Sequence, residues 1–197
     1  MKTKLSLIEN PSGLIMRLAY WSTRKKFGKV LTPIKVIYAR LPLSFSFFPQ
    51  KLAKLEKSFS LSQYLAVLIR THVAQLNTCH FCIDYGKAEA IKHFGSHQEK
   101  FFSLSDYKES PLFSTKEKAA LRFAEELTLQ KKISQATFSE AQQHFTEREL
   151  VEIAWAVMTE HTYNLLNLAF DIESDGLCQL PNHSNVQPIE HQILVSQ

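Results

Sequence analysis

Turn-forming residues are scarce in this chain. Five glycines and seven prolines among 197 residues amount to about half the usual combined share. No proline lies between Pro49 and Pro111 or between Pro111 and Pro181, and only Gly86 and Gly95 interrupt residues 50–175. Sandwiches, barrels and doubly wound sheets need many tight connections, so those classes are excluded and an all-α protein is expected. Long apolar runs are also missing. No stretch approaches the roughly 18 uninterrupted apolar residues of a membrane span. The opening MKTKLSLIENPSG has its apolar run cut by Glu9, Asn10 and Pro11 before it reaches signal-peptide length. Three cysteines, two of them three positions apart, do not make a secreted disulfide framework. The cytoplasm is the expected compartment. Neither a G-x-G-x-x-G loop nor a haem-attachment pattern is present, so no cofactor is expected.

What is there is a globular composition, 45% hydrophobic and 21% charged, at a length that suits one domain. The net charge of +4 hides an asymmetry. Residues 1–60 carry twelve lysines and arginines against Glu9 and Glu56, and the rest of the chain is net acidic. These cations are spread among Leu18, Tyr20, Trp21 and Phe27 rather than gathered in a run, so nucleic acid is not an expected partner. The expected contact is the acidic remainder or a second subunit. Leu43, Phe45, Phe47 and Phe48 beside Lys51, Lys54 and Lys57 leave interfacial membrane contact as the lesser alternative.

The hydrophobic period divides the chain into a basic N-terminal helical extension (1–49), a helical domain (50–176) and an irregular tail (177–197). Pro33, Pro42 and Pro49 are expected to break the extension into short helices. Beyond them, helices are expected over 50–58, 61–77 and 79–94, the last ended by Gly95. Ser114-Thr115-Lys116-Glu117 and Thr146-Glu147-Arg148-Glu149 are capping boxes, and Ser134 caps a shorter helix between them. The architecture is an antiparallel bundle of five or six core helices. Helices 61–77 and 147–170 have few polar positions in their middles, which points to a homo-oligomer built by helix packing.

Cys79-His80-Phe81-Cys82 is the one constellation with chemistry. With Asn77 ending one helix and Thr78 capping the next, Cys79 falls in a first turn whose N–H groups and dipole favour a thiolate. Two intervening residues let the sulfurs meet within one helical turn, so a disulfide opens and closes with little backbone movement. The alternatives are two cysteines buried as small hydrophobes and a zinc site. Zinc needs four ligands, and here only Cys178 and His183 could complete a Cys79/Cys82 set.

The run Arg70-Thr-His-Val-Ala-Gln-Leu-Asn-Thr-Cys79-His-Phe-Cys82-Ile-Asp resembles the core of the carboxymuconolactone decarboxylase/alkylhydroperoxidase D family, where a VAQLNGCxYCIDxH-like segment joins two helices. Ser114–Leu129, Phe145–Val157 and Asn164–Asp175 resemble the family's later segments, so the likeness spans about residues 50–176. It implies an AhpD-like bundle, a trimer or hexamer, and a thiol reductant such as a thioredoxin- or lipoyl-type partner. It also implies that Cys82 forms the sulfenic acid while Cys79 donates a proton and then closes the disulfide. Peroxidase members carry a histidine four residues after the second cysteine and a glutamate twelve before the first. Those positions are Gly86 and Val67 here, so the glutamate–histidine relay is missing while the cysteine pair remains.

His72, His80 and His161, the last beside Glu160, are the candidates for proton-transfer support. Asp84 is expected to be a solvated or dipole-complementing first-turn carboxylate rather than a base. The leading expectation is a thiol-disulfide oxidoreductase or weak peroxidase working through Cys79 and Cys82. The alternatives are non-redox chemistry on a small carboxylate or lactone, as in the decarboxylase branch, and a binding or assembly protein of the same fold.

Overall fold

The computed structural model describes residues 3–179, and all the regular structure among them is helical. α1 (Leu14–Phe27) ends on Gly28, which takes the left-handed conformation at φ 73°. A π-helical turn over Ile34–Tyr38 follows Pro33. α2 (Pro42–Glu56) opens with proline at its first position, where the missing N–H has no intrahelical partner to lose. The expected break at Pro49 does not occur, because α2 continues through it. That proline leaves one carbonyl, of Phe45, without its usual i+4 donor. The helix expected over 50–58 is therefore the second half of a longer one, and α2 runs across the 49/50 boundary.

The later helices start where their caps place them. Ser62 accepts from the Leu65 N–H at the head of α3 (Gln63–Leu76). α4 (His80–His93) and the short α5 (Gln98–Phe102) follow. Both capping boxes are reciprocal, Ser114 with Glu117 on α6 (Thr115–Gln130) and Thr146 with Glu149 on α8 (Glu147–Ala169). Ser134 caps α7 (Gln135–Gln142).

α3 is central and packs on α4, α6 and α8. One of its faces carries Leu68, Ile69 and Val73 into a core shared with Leu121 of α6 and Ile153 and Val157 of α8. A second core lies at the other side of α4. There Met16 and Tyr20 of α1, with Val30, Ile34 and Val36, bury Cys79, Phe81 and Cys82. The basic N-terminal segment thus docks on the rest of its own chain, over the cysteine end of the bundle. Its cations meet acidic partners there, Lys26 with Glu89 at 3.0 Å and Lys29 with Asp175 at 3.7 Å.

Residues 172–179 form a strap across α4 that ends, contrary to the expectation of an irregular tail from 177, in a 3-10 turn over Leu177–Gln179, with Ile172 and Leu177 buried. Asp84 holds it. Contrary to the expectation of a solvated carboxylate, Asp84 is buried and accepts from the Leu177 and Cys178 N–H groups at 2.8 and 2.9 Å and from the Ser174 hydroxyl at 2.8 Å. Burial alone would raise its pKa, but these donors together hold it below the ordinary value of 3.8. A depressed carboxyl stabilises the fold above its unfolded pKa and loses that contribution as pH falls through the folded one. Wild-type stability is therefore expected to decline below about pH 4, with this component absent from Asp84→Asn. At neutral pH Asp84→Asn should cost about 2–4 kcal/mol, because an amide cannot accept all three bonds. Urea melts of both proteins at a series of pH values measure each effect.

Candidate functional site

Backbone geometry between α3 and α4 sets the cysteines. The Cys79 N–H donates to the Ala74 carbonyl at 2.9 Å and the Thr78 N–H to Gln75 at 3.0 Å, the paired bonds of a Schellman ending. Asn77 closes α3, as expected, but Thr78 is not the cap of α4. It occupies the left-handed C′ position at φ 55°, where a β-branched residue is strained by roughly 1–2 kcal/mol. The glycine of the family segment at this point was the available signal. The cap is Cys79 itself, with extended backbone. Cys82 is then the third residue of α4, the position a capping side chain reaches. That register, rather than proximity in sequence alone, turns the two sulfurs toward one another.

A hydrogen bond between the two thiols moves their pKa values in opposite directions. The bond from Cys82 lowers the Cys79 pKa against the opposing effect of burial. The same bond, followed by burial and the Glu160 charge, pushes Cys82 well above the ordinary thiol range. From α8, Asn167 donates its Nδ2 to Cys82 Sγ at 3.3 Å and stands 3.9 Å from Cys79 Sγ. Among the described residues it is the one side-chain donor aimed at both sulfurs, and it favours the anion on either. Only its place within the Asn164–Asp175 family segment hinted at it in the sequence.

Electrostatics therefore favours the thiolate at Cys79, and access favours Cys82. Cys79 is 0% exposed, whereas Cys82 is 8% exposed and opens onto a cavity of about 690 Å³. The favoured anion and the accessible sulfur are therefore different residues.

The cavity lies between α2, α3, α4, α8 and the N-terminal segment, which contributes Phe27, Leu31, Ile34, Ile37 and Tyr38. Its charges are balanced: Lys26, Lys57 and Arg70 face Glu56, Glu89 and Glu160. Arg70 bridges Glu56 and Glu160, each at 3.1 Å, and Lys26 pairs with Glu89. Asn164 Nδ2 takes the other Glu160 oxygen at 2.6 Å, and its own Oδ1 accepts from Asn77 at 2.8 Å. Glu160 is thus fixed through both oxygens. Its charge opposes ionisation of both thiols.

Val67 and Gly86, the two relay positions, do line this cavity. Thr71 occupies the space a larger residue 86 would need. A Cβ built on Gly86 would lie 3.1 Å from both Thr71 Cβ and Cγ2, and closer still to Oγ1.

None of the three candidate histidines lines the cavity. His72 faces the opposite core, edge-on to Tyr107 with Glu125 3.7 Å from Nε2. Burial lowers its pKa to about 4, outweighing Glu125, so it is a neutral core histidine. His80 is exposed and meets Glu173 at 2.8 Å. His161 lies 3.2 Å from the Asn77 amide, and burial lowers its pKa. Glu160, rather than its neighbour His161, lines the cavity from α8 together with Asn167.

Cys178 stays apart, packed at the strap with its thiol pushed up to about 11 by burial and then by Asp84. His183, the fourth residue of the zinc reading, lies outside the described residues. Among those described, no cluster of three or more metal-ligating side chains occurs, and no helix is long and apolar enough to cross a membrane.

No protein-family model matches the chain. Among curated proteins it is 30% identical over 170 residues to YnjA of Escherichia coli K12, a match covering 85% of this chain and 92% of that uncharacterized protein. Such a length exceeds residues 50–176 and the whole tail together, so the likeness extends into the N-terminal segment. Among solved structures, a protein of unknown function from Agrobacterium tumefaciens, described as an AhpD antioxidant-defence candidate, is 25% identical with a TM-score of 0.65. It covers 71% of this chain and 96% of its own. A peroxidase-related protein from Silicibacter sp. TM1040 shares the fold at 20% identity and a TM-score of 0.74, with 86% and 90% of the two chains covered.

Proposed function

The chain belongs to the carboxymuconolactone decarboxylase/alkylhydroperoxidase D family, and from that premise we propose that it reduces organic hydroperoxides and exchanges disulfides through Cys82 and Cys79. One observation carries this reading. Cys82 opens onto an aromatic cavity with Cys79 directly behind it and Asn167 donating to it.

The Cys82 thiolate attacks the terminal peroxide oxygen. The O–O bond breaks, its electrons leave on the alkoxide, and Cys82 becomes a sulfenic acid. Cys79, as thiolate, then attacks Cys82 Sγ. Hydroxide departs and takes up a proton as water, and the disulfide forms. The two thiol protons balance the alcohol and the water. A dithiol partner of the thioredoxin or lipoyl type restores the pair.

Charge balance in the cavity suits a substrate whose organic group is uncharged and apolar. The same pairing disfavours the decarboxylase alternative, since Arg70 and Lys26 are already engaged by carboxylates. Association into a trimer or hexamer is part of the proposal, supported by a row of exposed apolar side chains along α8 that includes Val151, Trp155, Met158 and Leu165.

Steady-state consumption of cumene hydroperoxide with dihydrolipoamide as reductant tests the reading. Turnover is expected, slow because no relay residue takes the proton from the Cys82 thiol, since a positioned base typically contributes about 10²–10⁴-fold. Disulfide exchange with a small disulfide should be less affected. Hydroperoxide consumption no faster than the reductant alone would overturn the proposal.

A further inference from the structure

The peroxide step leaves an alkoxide that needs a proton, and the family's relay is not there to give it. The donors facing the cavity are few, and most are occupied. Arg70 and Lys26 are paired with carboxylates, the Thr71 hydroxyl donates to the Val67 carbonyl at 2.8 Å, and Asn167 is turned to the sulfurs. Cys79 is 0% exposed and does not line the cavity. Lys57 and three phenols remain, Tyr38, Tyr85 and Tyr163, none with a side-chain hydrogen bond or ion pair among the described residues. The charged neighbours of Tyr85 are Glu89, Lys26 and Arg70, and those of Tyr163 are Arg70, Glu56 and Glu160, with no cysteine beside either. Tyr38 is buried, packs edge-on to Phe45 at 5.4 Å between ring centroids, and lines the cavity together with Cys82.

Tyr38 is also the last residue of the π-helical turn Ile34–Tyr38, closed by the Ala39 N–H to Ile34 carbonyl bond at 2.9 Å. Such turns are rare and recur at functional sites. This one belongs to the N-terminal segment, outside the part of the chain that resembles the family's core. We propose that the Tyr38 hydroxyl is the proton donor to the oxygen released from the hydroperoxide at Cys82, a catalytic role supplied by the N-terminal segment in place of the missing relay.

The inference rests on the peroxidase reading of Cys82. As the Cys82–oxygen bond forms and the O–O bond breaks, the departing oxygen takes the phenolic proton and leaves as alcohol. The tyrosinate regains a proton from those the two thiols release, so nothing beyond the hydroperoxide and the dithiol is consumed. Burial, and then the charge of Cys82, push the phenol up to about 12. It therefore stays protonated at neutral pH and remains a far stronger acid than the alcohol it would generate.

The test varies the leaving group. Cumene hydroperoxide releases an alkoxide and needs the proton, whereas perbenzoic acid releases benzoate and does not. Second-order rate constants for oxidation of Cys82 by each are measured in wild type and Tyr38→Phe by stopped flow, with the site of oxidation checked by mass spectrometry. Tyr38→Phe is expected to lower the cumene hydroperoxide rate about 10²-fold or more and to change the perbenzoic acid rate by less than about threefold, an effect below 1 kcal/mol. Equal slowing with both oxidants would assign Tyr38 a packing role and overturn the inference, as would no slowing with either. A wild-type protein whose Cys82 reacts with neither oxidant would instead overturn the peroxidase reading itself.

Discussion

Cys82→Ser is expected to bring hydroperoxide turnover and disulfide exchange down to the uncatalysed background, while Cys79→Ser is expected to complete one oxidation and stop. The asymmetry follows from the placement of the two sulfurs. Cys79 is sealed behind the first turn of α4 and Cys82 faces the cavity, so Cys82 is the one expected to meet the oxidant. Without Cys79 there is no second thiolate to displace hydroxide, and the sulfenic acid persists long enough for trapping by dimedone. Thiolate stability alone points the other way, because the shared hydrogen bond favours the anion at Cys79. If stability outweighed access, Cys79→Ser would lose the first oxidation and Cys82→Ser would keep it. Dimedone labelling of the two variants after one equivalent of cumene hydroperoxide separates these outcomes.

Restoring the relay by Val67→Glu with Gly86→His is expected to fail, although the spacing of the residues alone suggests it would succeed. A side chain at 86 drives its Cβ into Thr71, which is buried and bonded back to the Val67 carbonyl. Overpacking of this kind costs about 1–3 kcal/mol, or roughly 2–12 °C in Tm for a chain of this size. Thr71→Ala removes the hydroxyl and methyl that cause the worst of the overlap and leaves a Cβ contact that a small shift relieves. The triple variant should recover most of the lost Tm and, unlike the double, should turn over cumene hydroperoxide faster than wild type. Thermal melts and steady-state rates on both variants check this. A double variant as stable as wild type would mean that α3 and α4 separate more readily than their packing implies.

Gly86 and Thr71 also mark where reading the sequence stops being informative. Each is an ordinary helical residue in isolation, and their fit exists only once α3 lies against α4. Asp84 was misread for the same reason, since its donors at Ser174, Leu177 and Cys178 lie 90 to 94 positions away. The starts of α3, α6, α7 and α8 lie close to where the sequence placed them because caps and hydrophobic period are local causes. The C-x-x-C pair was legible for the same reason, but its surroundings were not. Asn167 reaches it from α8, and Tyr38 faces the cavity from a segment whose prolines suggested only short, broken helices. Pro49 was overread as a breaker, since one missing hydrogen bond does not end α2.

The most direct test of the dithiol reaction is stoichiometric. The fully reduced protein is mixed with one equivalent of cumene hydroperoxide, and the peptides and the released alcohol are quantified. The expected result is one equivalent of alcohol and the loss of two hydrogens from the peptide holding Cys79 and Cys82, with Cys178 still a free thiol. Oxidation confined to Cys178, or alcohol formed without the Cys79–Cys82 disulfide, would contradict it.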